Sequence, residues 1–177
     1  MTYDELVAEI KAEFPDFQIK PKQESAFMRL LGKLLLVLTL GKMTAFMTSF
    51  TTTIGRTIYT PAKWESWKER PKMVILRHER VHLRQAKKYG QFLFSLLYLF
   101  APVPMGLAWF RAKLEWEAYE ESLRATAEFY GVGAVKVRAY RESVVYNFVG
   151  PNYAWMWPFR AQVERWYDDA ILRLMAK

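Results

Sequence analysis

Residues 71–90 read PKMVILRHERVHLRQAKKYG, and this stretch decides the architecture. Pro71 suits the first turn of a helix, where its missing N–H costs no hydrogen bond, and Gly90 suits the position just past a helix end. The pattern predicts one helix from Pro71 to Tyr89. At about 100° per residue, Val74, Ile75, His78, Val81, His82, Ala86 and Tyr89 share one arc, with Glu79 at its edge. Arg77, Arg80, Arg84, Lys87 and Lys88 share the opposite arc. The helix is therefore expected to bury its histidines and to turn its basic residues toward water.

His78-Glu79-Arg80-Val81-His82 has the form H-E-x-x-H and contains both of the chain's 2 histidines. Residues four apart share a helix face, so the two imidazoles can reach one metal ion, and zinc accepts such nitrogen ligands. Glu79, about 100° around the helix from its neighbour, falls beside that ion, where a carboxylate can take a proton from water. With no histidine left and Cys 0, a third ligand must be a carboxylate. Leu114-Glu-Trp-Glu-Ala-Tyr-Glu-Glu121 offers four. Glu117, Glu120 and Glu121 share an arc with Lys113, Arg124 and Glu128, a charged, solvated face. Glu115 falls among Leu114, Ala118, Tyr119, Ser122 and Phe129. An inward carboxylate needs a compensating charge. For Glu115 that is a metal ion or, as the alternative, Arg111 one turn earlier.

The motif followed by a helix bearing a third Glu resembles the gluzincin group of zinc metallopeptidases. In families with an E-x-x-A-D or E-x-x-A-N signature the first Glu is the ligand, and Glu115-Trp-Glu-Ala-Tyr119 fits up to its last position. The resemblance implies His78, His82 and Glu115 as Zn2+ ligands, Glu79 as general base, and a peptide or protein substrate. The residue at the place of Tyr119 supports a ligand histidine in such families. The resemblance also implies an edge strand across the motif helix that binds substrate by strand addition, a place that Arg56–Thr60 would take. With no spare histidine, an oxyanion-stabilising role falls to Tyr153, with Tyr119 and Tyr146 as rivals. More loosely, the segments around the motif and Tyr153-Ala-Trp-Met-Trp-Pro158 resemble small phage-encoded H-E-x-x-H proteins of unassigned role. That likeness implies a structural or interaction protein, such as a virion component, as the alternative to an enzyme.

At 177 residues, with 52% hydrophobic and 25% charged residues, the chain fits one folded domain. The absence of cysteine excludes a disulfide scaffold, a thiol nucleophile and an iron–sulfur cluster. A net charge of +8 favours acidic partners. No nucleic-acid-binding signature accompanies the basic residues, so nucleic acid is not the expected partner. Residues 1–22 lack the apolar core of a secretory signal, which gives a cytoplasmic expectation, with virion-associated or membrane-peripheral placement as variants.

Around the motif helix, Thr2-Tyr-Asp-Glu5 predicts a capping box opening a helix to about Glu13. Asp16–Glu24 reads as a polar loop and Ser25–Leu40 as an apolar helix. A β-hairpin is expected over residues 43–60, with Arg56–Thr60 as its second strand. Later helices are expected at about Gly106–Tyr130, Ala134–Phe148 and from Pro158 onward, with a turn at Gly150–Asn152. Gln91–Phe110 carries no charge. Pro102 and Pro104 break it, so buried core, a partner-facing surface or membrane contact suits it better than a span. The expected fold class is α+β: one mostly helical, zincin-like domain over residues 1–177 with a small sheet over the H-E-x-x-H helix. Its parts are N-terminal helices (1–42), hairpin, motif helix and Glu helix (43–131), and C-terminal helices (132–177).

Overall fold

The structure is a computed structural model that describes residues 1–38, 40–41, 44–94, 108–150 and 156–176. Helix α1 (Tyr3–Glu13) opens on the expected capping box: Thr2 Oγ1 accepts from the Glu5 N–H at 3.2 Å, and the Thr2 N–H donates to the Glu5 carboxylate at 2.8 Å. These bonds satisfy N–H groups that a helix start leaves without partners.

The segment expected as a polar loop, Asp16–Glu24, instead contains strand β1 (Gln18–Pro21). It pairs in parallel with β3 (Thr57–Thr60), with Ile19 opposite Ile58. Strand β2 (Thr52–Ile54) pairs antiparallel on the other side, giving the order β1-β3-β2. Two parallel strands need a crossover, and helix α2 (Ala26–Leu38) is part of it. Four residues are too few for an alternation signal, and the partner of β1 lies far along the chain, so local sequence hides this strand.

The same topology corrects the role expected of Arg56–Thr60. That strand is central, with backbone partners on both sides, so it cannot accept an added strand. The edge beside the motif helix is β2. Alternation sorts the side chains. Ile58 joins Leu6, Ile10 and Phe14 of α1 and Met73, Leu76 and Leu83 in one core, while Ile54 and Tyr59 pack with Met28 and Leu31 of α2 on the opposite face.

Helix α3 (Glu69–Tyr89) carries the motif and ends at Gly90, whose φ of 80° suits a residue without Cβ. Its buried face is wider than the wheel predicts: Met73, Leu76, Glu79, Leu83 and Gln85 are buried along with His82, and Tyr89 is exposed. The reason is that α3 is covered on several sides, by α1, the sheet and helix α4 (Ala108–Tyr130). Beyond α4, the expected helix over Ala134–Phe148 is two helices, α5 (Val132–Lys136) and α6 (Arg138–Val149). The last helix, α7 (Arg160–Met175), begins two residues later than expected. A second core, built on Trp116, Leu123, Val145, Phe148 and Tyr167, joins α4, α6 and α7. The α+β, mostly helical class is as expected. No helix among the described residues is long and apolar enough to cross a membrane. Residues 95–107, most of the uncharged stretch, and 151–155, the expected turn with Tyr153, lie outside the described residues.

The arginine face of α3 is not left to water. Arg77 donates to Glu121 at 2.6 Å and to Glu128 at 2.5 Å, while Arg80 donates to Glu13 at 2.8 Å and to Glu9 at 3.1 Å. Arg84 donates to both oxygens of Glu13, at 2.6 and 2.8 Å. The carboxylates that consume the basic face come from α1 and α4, which a wheel drawn for one helix cannot show. Hydrogen bonds from Arg84 and Arg80 outweigh partial burial and hold the Glu13 carboxyl at about 2, below its ordinary 4.5. A depressed folded value means stability present above pH 4.5 and lost as pH falls toward 2. Glu13→Gln is expected to cost about 1–2 kcal/mol at neutral pH, less than the full linkage value because solvent screens the pair. In urea denaturation the gap from the parent chain should close between pH 4.5 and pH 2.

Candidate metal centre

The two cores meet α3 and α4 from opposite sides, and the seam between these helices is polar. His82 and Glu115 are buried in it, Glu115 with only 1% exposure, and His78 is nearly so. Of the four carboxylates in 114–121, Glu115 alone is buried. His78 Nε2 and His82 Nε2 stand 3.3 Å apart. Each lies 3.6 Å from an oxygen of Glu115, His78 from Oε2 and His82 from Oε1. Among the described residues, His78, His82 and Glu115 form the group of side chains able to hold a metal ion.

Hydrogen bonds on the far sides of both rings fix which nitrogen faces the seam. Gln85 Nε2 donates to the Leu114 carbonyl and to the Glu117 carboxylate, each at 2.9 Å. Both are acceptors only, so the amide orientation is settled and Gln85 Oε1 must accept. It does so from His82 Nδ1, at 2.9 Å. Ser122 Oγ donates to the Ala118 carbonyl at 3.3 Å and offers its lone pair to His78 Nδ1 at 3.1 Å. Each Nδ1 therefore carries the hydrogen when its ring is neutral, and each Nε2 presents a lone pair inward.

Two lone pairs and a carboxylate then converge in a buried space, an arrangement that a cation among them favours. A proton is the minimal one. Burial works against charging His78, but hydrogen bonding and charge from Glu115, helped by Glu79, raise its pKa above the ordinary value. A metal ion is the other. Two nitrogens on tetrahedral zinc at about 2.0–2.1 Å stand about 3.3–3.4 Å apart, while octahedral ligands at about 2.1 Å stand about 3.0 Å apart. The observed 3.3 and 3.6 Å spacings place all three ligand atoms within reach of one ion. The donor set fits zinc.

Glu79 is buried, and both its oxygens are claimed by hydroxyls of the edge strand and its lead-in. Thr51 Oγ1 donates to Oε1, and Thr53 Oγ1 donates to Oε2 at 2.6 Å. The segment that delivers these threonines is tied down by Lys22, the residue after β1. Its fully buried Nζ donates to the carbonyls of Phe46 at 2.7 Å and Phe50 at 2.8 Å. Burial pulls the Lys22 ammonium down to about 7, against the opposing pull of Glu79.

The last position of the Glu115-Trp-Glu-Ala-Tyr119 segment does not support a histidine through a hydrogen bond to its ring nitrogen. Tyr119 packs edge-on against the His78 ring, centroids 4.9 Å apart, while its hydroxyl accepts from Asn147 at 2.8 Å. Ser122, almost one helical turn further on, takes over the polar support. Tyr146 is exposed, and Tyr153 lies outside the described residues. Sequence reasoning missed Gln85, Ser122, Thr51, Thr53 and Lys22. For two of them a signal existed: Gln85 is three residues past His82, and Ser122 seven past Glu115, each on the ligand face.

No protein-family model, no curated protein and no solved structure matches the chain. The site therefore stands on its geometry. If Ser122 and Gln85 set the imidazole tautomers, then Ser122→Ala and Gln85→Leu should each weaken zinc binding about 10–100-fold in a chelator competition. Unchanged affinity in both would remove their assigned role.

Proposed function

We propose that this protein is a zinc-dependent peptidase that uses Glu79 as its general base. The observation that carries the reading is the convergence of His78 Nε2, His82 Nε2 and the Glu115 carboxylate, with a second buried acid, Glu79, on the helix turn between the two histidines and outside the trio. His78, His82 and Glu115 would hold the ion. Zinc so held supplies Lewis acidity, polarising a carbonyl and bringing the pKa of water to about 7.

The chain's own groups do the rest. Glu79 takes a proton from the attacking water and passes it to the departing amide nitrogen as the C–N bond breaks. Thr51 and Thr53, each on one oxygen, fix the orientation of its carboxylate. The edge strand β2 offers backbone groups to an extended peptide, which supports a substrate laid along it as an added strand. For the developing oxyanion the candidate phenols are Tyr119, which packs against His78, and Tyr153, which lies outside the described residues.

A structural metal site is the second reading, favoured by one observation: the threonine hydroxyls engage both oxygens of Glu79. In that case the pair would serve to hold β2 onto α3. Elemental analysis of the purified chain is expected to give about one zinc per molecule. Glu79→Gln should keep that zinc and lose about 10²–10⁴-fold in hydrolysis of an unfolded protein substrate. Glu115→Ala should lose both metal and activity. Zinc retention with no hydrolysis by the parent chain, together with a lower melting temperature in Glu115→Ala, would establish the structural site instead.

A further inference from the structure

Helix α2 buries one side against the sheet and leaves an apolar stripe on the other. Met28 and Leu31 pack with Phe46, Ile54 and Tyr59. On the outward side stand Phe27, Leu30, Leu34 and Val37, at 57%, 67%, 51% and 72% exposure. Their spacing of three, four and three residues makes one continuous line along the helix. A soluble surface seldom shows such a line without a partner for it.

Charge identifies the partner. Between Glu24 and Glu65 the chain contains no acidic residue, yet it carries Arg29, Lys33, Lys42, Arg56 and Lys63. On the wheel Arg29 and Lys33 flank the stripe along one side. A second copy meeting this helix along the stripe would bring cations to the seam with no acid on either helix to pair them. An anionic lipid surface satisfies both features. Apolar side chains enter the boundary between headgroups and acyl chains, and the flanking cations reach lipid phosphates.

We propose that the outer face of α2 is a docking surface for anionic membranes, with Phe27, Leu30, Leu34 and Val37 as its apolar anchor and Arg29 and Lys33 as its charged rim. The helix lies in the plane of the interface and does not span the bilayer; its 13 residues are too few to cross. Because α2 and α3 pack on opposite faces of the sheet, docking leaves the motif helix on the side away from lipid. The assignment is independent of the metal centre.

The test is sedimentation of the full chain with vesicles of phosphatidylcholine containing about 30% phosphatidylglycerol, against phosphatidylcholine alone. Binding is expected on the anionic vesicles, weakening steeply from about 0.1 to about 0.5 M salt. Arg29→Gln/Lys33→Gln should lose about 25-fold on anionic vesicles, roughly fivefold per cation, and little on neutral ones. Leu30→Ser/Leu34→Ser, with Phe27→Ser/Val37→Ser as an independent pair, should lose at least about tenfold on both. Circular dichroism and melting temperature report that these surface variants fold. Absence of sedimentation overturns the proposal, as does binding that neither apolar pair reduces. A vesicle-free dimer that the apolar variants convert to monomer overturns it too, because the stripe then belongs to a second copy.

Discussion

Three electron-rich groups are held against one another in the seam between α3 and α4, and the surrounding structure leaves them no way to part. His82 is locked by Gln85, which is itself locked by the Leu114 carbonyl and Glu117. His78 is locked by Ser122 and backed by the Tyr119 ring. A buried carboxylate beside two inward lone pairs is costly unless a cation or hydrogen-bond donors compensate it. The helix pair is stable around this polar seam because apolar cores flank it, one shared with α1 and the sheet, the other with α6 and α7. Packing energy from the flanks fixes the geometry of a site that could not assemble on its own.

The small sheet acts as a bracket for Glu79 more than as a core element. Strand β1 comes from the N-terminal segment and pairs in parallel with β3; Lys22, just beyond it, fastens the chain that leads into β2; Thr51 and Thr53 then reach the acid. Residues far apart in sequence thus converge on a single carboxylate. The same crossover explains the exposed α2. To connect β1 with the β2–β3 hairpin the helix must cross the sheet face opposite α3, and nothing among the described residues covers its outer side along the stripe.

Which parts were legible in the sequence follows from the range of each signal. The capping box at Thr2, the helix ending at Gly90, the shared face of His78 and His82, and the inward placement of Glu115 are all set within a few turns of one helix, where 3.6-residue periodicity speaks directly. The exclusion of a cysteine or a third histidine followed from composition alone. Strand β1 was not legible, because its four residues earn their conformation from a partner far along the chain. Nor was the fate of Arg77, Arg80 and Arg84: a wheel marks them as polar but cannot supply Glu9 and Glu13 of α1 or Glu121 and Glu128 of α4.

The amino-acid order by itself determined the donor set and the helical scaffold that spaces it, since ligand type and helix period are local properties. Tertiary structure decided which strand lies beside the motif helix, which side chains orient the imidazoles, and which hydroxyls hold Glu79. Those outcomes depend on contacts between segments whose separation along the chain carries no imprint of their distance in space.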